Sequence, residues 1–377
     1  MINTADFYAM LKEKGVDFFT GVPDSLLKDF CAYVKDNTPE NKNIVAANEG
    51  NALALAAGYH LATGKAALVY MQNSGLGNIV NPLASLTDRL VYSIPALLLI
   101  GWRGEPGKKD EPQHVKQGKI TLELLETLGI KYDVIGEETT FEVLKEVFLK
   151  AYQHMMENKE PYAFVIQKGA FQAYKLKSEV KTSFELSREE AIKLVVSVME
   201  KDAVVVSTTG MASRELFELR EALGDSHERD FLTVGSMGHS SQIALGISVA
   251  RPEKTVYCLD GDGAFLMHMG AGAVVAAHAG DNYRHIIINN GAHDSVGGQP
   301  TLGFDIDVPA IAKASGYREV YSASGREEVM NCIQKMQKCK GPALLEIKVN
   351  KGARKDLGRP TTTPVENKTK FMEFLGK

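Results

Sequence analysis

The chain has 377 residues, of which 44% are hydrophobic and 24% charged, and its formal net charge is −4. That length has room for two domains, and the mild acidity excludes a global electrostatic footprint for nucleic acid or a membrane surface. The four cysteines (Cys31, Cys258, Cys332, Cys339) form no CxxC pair, MINTADFYAMLKEKG lacks a signal core, and the longest apolar run, Ile94–Ile100, is too short to span a bilayer, so a cytoplasmic enzyme is expected.

In chain order, a helix over Thr4–Lys14 leads into the strand and turn VDFFTGVPD, then a helix from Ser25. NIVAA reads as a strand and Glu49–Thr63 as a helix; AALVYMQ, ALLLIGW and YAFVIQ read as further buried strands with helices between. Such alternation implies a parallel, doubly wound sheet. From Gln167 to Leu186 the pattern lapses into a polar, mixed stretch, which predicts a first domain over 1–170, a linker over 171–186 and a second domain over 187–377. Ser187 reads as an N-cap, with Glu190 three residues on completing a capping box. AVVVST, FLTV, TVYCLD, HIIIN and ALLEIKV follow as strands, again alternating with helices. The fold class is therefore α/β, two doubly wound parallel-sheet domains.

One stretch of the second domain carries chemistry. Thr255–Leu259 reads as a strand, Ala264–Ala279 as one packed helix and His285–Ile288 as the next strand. A right-handed crossover of this kind puts Gly261-Asp262-Gly263 and Asn289-Asn290 at the carboxyl ends of neighbouring parallel strands. Open α/β sheets bind their ligands at that edge. Either cluster alone reads first as a turn. Together, a carboxylate and an amide oxygen are hard ligands suited to magnesium or calcium, and the glycines allow close backbone approach by something bulky.

GDG followed one crossover later by NN resembles the signature of thiamine-diphosphate-dependent enzymes. The resemblance implies that Asp262, Asn290 and the backbone carbonyl of Ala292 hold a divalent ion, Mg2+ or a similar one, that clamps the cofactor's diphosphate. It also implies that Glu49, in IVAANEGNALALAAGYHLATGK, faces the cofactor's pyrimidine ring; by itself an acid there would be a favourable helix-end charge. In VGSMGHSSQIALGIS the resemblance makes Met237 the apolar wedge beneath the folded cofactor and Gly235 the carbonyl that meets the pyrimidine's amino group. A methionine is more often core filler, yet one between glycines has no helix face to join. The family's central third domain has no room in this linker. Its active sites lie between subunits, so a homodimer or larger homo-oligomer is implied.

FTGVPDSLLKDFCAYV, GWRGEPGKKDEPQHVKQG and ARKDLGRPTTTPVENK resemble, over essentially the whole chain, the branch that decarboxylates phosphonopyruvate and sulfopyruvate. The implied reaction is loss of CO2 from 3-phosphonopyruvate, giving phosphonoacetaldehyde on the way to 2-aminoethylphosphonate. A small 2-keto acid with two anionic groups needs a cationic, donor-rich pocket. Between Trp102 and Lys119 lie Arg103, Lys108, Lys109, His114, Lys116 and Lys119, and the tail adds Lys351, Arg354, Lys355 and Arg359. Arg103 is the first candidate anion fork, with Lys109, Arg354 and Arg359 beside it, although charged loops are usually only solvated surface. Asp24, in the GVPDS turn, and His114 are the candidate acid–base groups. Where pyruvate-type members carry a glutamate beyond the asparagine pair, this chain has Val296. Three alternatives stay open: sulfopyruvate as substrate, a carboligase of the acetohydroxyacid synthase type, and a nicotinamide dehydrogenase, for which NSGLGNIV lacks the third glycine.

Overall fold

The computed structural model describes residues 1–178 and 181–376, in two compact units, Met1–Glu179 and Val180–Lys377. Each unit is built on one six-stranded sheet. In the first, β1 (Phe19–Gly21), β2 (Asn43–Val45), β3 (Ala67–Gln72), β4 (Ala96–Gly101), β5 (Lys131–Ile135) and β6 (Tyr162–Ile166) take the order β2-β1-β3-β4-β6-β5, every pairing parallel. The second has β7 (Val204–Ser207), β8 (Asp230–Leu232), β9 (Val256–Gly261) and β10 (Tyr283–Asn289). A small antiparallel pair, β11 (Ala292–His293) and β12 (Gln299–Pro300), then precedes β13 (Glu319–Ala323) and β14 (Ala343–Lys348). Its main sheet runs β13-β14-β10-β9-β7-β8, again all parallel.

Side-chain alternation explains why each sheet is covered on both faces. In the first unit Leu68, Tyr70, Leu97 and Leu99 join one apolar cluster, while Ala67, Val69, Met71, Leu98 and Ile100 join the other. The second unit repeats this: Tyr257, Leu259, Ile286 and Ile288 face one cluster, and Val256, Cys258 and Ile287 face the other. Central strands buried twice over read as unbroken apolar runs, which is how they stand in the sequence. In each sheet the chain reverses its direction of strand addition, between β1 and β3 and between β7 and β9. The crevice at such a switch point is where this architecture takes ligands.

Three local features differ from the sequence reading. β5 and β13 were not expected; both are edge strands and share an exposed-to-buried pattern with a single buried residue, so neither shows an apolar run. The expected single helix over 264–279 is two, Asp262–Met267 and Ala271–His278, broken at His268 to Gly270. Glycines at 270 and 272 weaken a helix there, and the first piece starts on Asp262 itself. Of the expected linker, residues 179 and 180 lie outside the described set. Residues up to 178 are irregular but tied to the first unit: Phe171 joins its core, and Asp29 and Asp36 accept hydrogen bonds from Tyr174, Lys177 and Ser178. The capping box of Ser187 and Glu190 forms at the start of helix Arg188–Val198. Among the described residues no helix is long and apolar enough to cross a membrane.

Candidate active site

In the second unit, the carboxyl ends of β9 and β10 bring Asp262 and Asn290 together. Asp262 is the first residue of its short helix and is buried. It accepts from the Thr301 hydroxyl and from the backbone N–H groups of Gly263 and Asn290. Burial pushes its pKa up to about 6, and these neutral donors offset only part of that.

The two adjacent asparagines have different partners. Asn289 donates to the Gly303 carbonyl (2.6 Å) and to Glu346 on β14 (2.8 Å), tying strand to strand. Asn290 sits on the loop, donates Nδ2 to Asp294 (2.7 Å) and accepts the Ala292 N–H at Oδ1 (3.1 Å). Asp294 in turn accepts from Arg188 (2.8 Å) and from the Gly352 N–H (3.0 Å), while Arg188 forks onto Glu215. Thr301, Asp294 and Arg188 were not singled out from the sequence.

The backbone around these groups is shaped as a cradle. A Cβ on Gly303 would lie 2.6 Å from the Asp262 carboxylate, and one on Gly263 would lie 2.8 Å from the His293 ring and 3.3 Å from the Met237 methyl. Gly261 has open space beside it except for one carbonyl at 4.0 Å. Met237 is half-buried in a loop where Gly235, Ser236 and Gly238 all have positive φ, and the Gly235 N–H donates to Thr209 (2.9 Å). His293, also missed in the sequence, is pushed by burial down to about 4 and so stays neutral. Hard oxygen donors beside a backbone stripped of side chains fit a divalent ion and a bulky anionic cofactor.

In the first unit, β1, β2, β3 and β4 deliver Asp24, Glu49, Gln72 and Arg103 to one sheet edge. Glu49 opens helix Glu49–Thr63 behind the N-cap Asn48, is buried, and accepts from Asn78 (2.6 Å). Gly75 makes room for it, since a Cβ there would lie 2.5 Å from a Glu49 carboxylate oxygen. Asp24 is wholly buried and accepts from Gln72 and the Leu26 N–H (2.8 Å each). Burial raises its pKa, and those hydrogen bonds and the nearby Arg103 charge offset this in part.

Arg103, the first candidate anion fork, already has partners within the chain. Its Nε and Nη2 are spent on Asp110 (2.8 and 2.5 Å), and Nη1 donates to Ser25 (2.8 Å). Asp110 also accepts from the N–H groups of Gly104 and Glu111, and hydrogen-bonds with Nδ1 of the buried His114 (2.9 Å). Arg354 is likewise taken up, by Glu189, Glu218 and Asp356. Opposite charges close in sequence or in space pair here before any ligand arrives. Lys109 and Arg359 are exposed.

Comparison with known proteins follows the same division. Residues 3–124 match the thiamine pyrophosphate enzyme N-terminal TPP binding domain, and residues 208–347 match the C-terminal TPP binding domain. The chain is 35% identical over 390 residues to a phosphonopyruvate decarboxylase of Streptomyces viridochromogenes, spanning 100% of this chain and 95% of that one. It is 34% identical to a phosphonopyruvate decarboxylase of Streptomyces hygroscopicus, over 99% and 94% of the two chains. A sulfopyruvate decarboxylase of Methanosarcina acetivorans is 29% identical over 97% of this chain and 96% of its own. With both cofactor-binding halves matched and end-to-end similarity at this level, the chain belongs to the thiamine pyrophosphate enzymes, in the family of the phosphonopyruvate decarboxylases.

Proposed function

We propose that this chain is a thiamine-diphosphate- and Mg2+-dependent decarboxylase that converts 3-phosphonopyruvate to phosphonoacetaldehyde and CO2, a step toward 2-aminoethylphosphonate. The observation that carries the reading is the buried Asp262 facing Asn290 across two strand ends, in a chain similar throughout its length to phosphonopyruvate decarboxylases. Thiamine diphosphate, when bound, supplies the electron sink that a 2-keto acid lacks for losing CO2.

The chain's own groups do the rest. Asp262, Asn290 and the Ala292 carbonyl would hold the divalent ion, and Met237 and Gly235 would orient the cofactor's rings. Glu49 exchanges a proton at its carboxylate with the pyrimidine side of the site. Asp24, whose pKa burial raises, and His114, hydrogen-bonded to Asp110, face the substrate side as its proton-handling groups. Asp110 fixes how the ring is turned: Nδ1 is held against the carboxylate, which leaves Nε2 as the nitrogen available to a ligand. The second anionic group of the substrate meets the basic loop, at Lys109 and at the Arg103 edge that touches Ser25. Two such chains form the working unit, with Glu49 and Asp262 of one site coming from different subunits. A reducing cytoplasm accords with four free thiols.

The test is direct. Purified chain is given 3-phosphonopyruvate, sulfopyruvate and pyruvate in turn, with thiamine diphosphate and Mg2+, and aldehyde and CO2 are both measured. Phosphonoacetaldehyde, formed with the highest kcat/KM of the three and abolished by EDTA, is expected. Preference for sulfopyruvate moves the assignment to that acid, a substrate the Methanosarcina relative keeps in view. A carbon–carbon ligation product instead would make the chain a carboligase.

A further inference from the structure

We infer that Asp294 is a positioning residue for the metal site: it fixes the amide of Asn290 so that its oxygen, and not its NH2, is turned toward the ion. The inference rests on Asn290 being a metal ligand, as proposed above. An asparagine amide is symmetrical in shape and opposite in function at its two ends. A ring of oxygen ligands tolerates only one of those ends.

The geometry settles which end faces where. Asn290 Nδ2 lies 2.7 Å from Asp294 Oδ2, an oxygen that also accepts from Arg188 Nη1 and the Gly352 N–H, so the group donating to it is the NH2. Oδ1 is thereby turned the other way, where it accepts one N–H, from Ala292, and keeps a second lone pair. Asp294 is itself fixed. The same Oδ2 accepts from Arg188 Nη1 (2.8 Å) and from the Gly352 N–H (3.0 Å). Arg188 is buried, and its other edge is committed to Glu215 through two bonds of 2.8 Å. The chain of contacts thus runs from helix Arg188–Val198 through Asp294 to the loop after β10, with each charged group already satisfied. The role of Asp294 is to aim its neighbour.

Outer partners that orient a ligand typically change metal affinity by about 10–100-fold when removed. The experiment measures Mg2+ binding by titration calorimetry on the full chain with saturating thiamine diphosphate. It compares wild type, Asp294→Ala, Asn290→Ala and the double variant, with circular dichroism to check the fold. Asp294→Ala is expected to raise the Mg2+ dissociation constant about 10–100-fold. In the Asn290→Ala background the same replacement should add little, because the group it aims is gone. Unchanged Mg2+ affinity in Asp294→Ala, or an equal loss in both backgrounds, overturns the inference while leaving the metal assignment standing. Wild-type affinity in Asn290→Ala removes the metal assignment itself. Should the alanine variant lose its fold, Asp294→Asn carries the test. Its amide offers both an acceptor and a donor to Asn290, so a smaller loss in the same direction is expected, and none overturns the inference.

Discussion

Asp24 keeps a carboxyl group where water does not reach, and its neighbours supply donors from Gln72 and the Leu26 and Ser25 backbone, and one nearby guanidinium. Its raised pKa has a consequence for stability. Between the ordinary value of 3.8 and the raised folded value, increasing pH removes stability, because the unfolded chain gives up the proton first. Asp24→Asn should therefore melt higher than wild type at pH 8, with the gap closing as pH falls toward 4. Gln72 can turn its own amide over to match the new donor. Thermal melts across that range check the sign, and a variant that melts lower at pH 8 refutes it. Activity should fall in the same protein, which would mark the acid as kept for chemistry at the expense of stability. Glu49 makes a different forecast. Glu49→Gln should bind thiamine diphosphate and Mg2+ nearly as wild type, yet slow exchange of the thiazolium proton into deuterated water by about a hundred- to ten-thousandfold. NMR of quenched samples reads that rate directly, and an unchanged rate would reduce Glu49 to a helix-end charge.

At the scale of elements, the turn Asn73–Gly75 after β3 exists to let the start of helix Glu49–Thr63 come close. Gly75→Ala would press a methyl into the Glu49 carboxylate, so it should copy the slow proton exchange of Glu49→Gln without touching either residue's charge. A fast rate in Gly75→Ala would mean the carboxylate moves aside at no cost to function. The same elements show what the sequence can and cannot carry. Strands β3, β4, β9 and β10 were legible because both their faces are buried, so their apolar runs have one reading. The edge strands β5 and β13 were not, since one neighbour and a half-wet face leave no run to see. The placement of Asp262 and Asn290 at neighbouring strand ends was legible because one crossover holds them in a fixed spacing. Arg188 and Asp294 are 106 positions apart, and nothing local to either announces the other. The pairing of Arg103 with Asp110 was hidden for the opposite reason: only seven positions separate them, but a tally of charges does not see a two-bond pair.

For the whole molecule, the proposal that Glu49 and Asp262 of one site belong to different subunits predicts complementation. Glu49→Gln and Asp262→Ala proteins, each nearly inactive, should regain about a quarter of wild-type activity when mixed and allowed to exchange subunits, since half the dimers are hybrid and each has one intact site. No recovery, with exchange verified by mass, would put both residues in one chain's site. Each half of the chain also has its own sheet and its own apolar clusters, and this bears on how the protein comes apart. Scanning calorimetry should resolve two endotherms rather than one, because two cores need not melt together. Mg2+ with inorganic pyrophosphate, which carries the cofactor's anionic group without its rings, then acts as a label. At a hundred times its dissociation constant it should lift one endotherm by about 5–10 °C and leave the other where it was, which identifies the melting of Val180–Lys377 without cutting the chain.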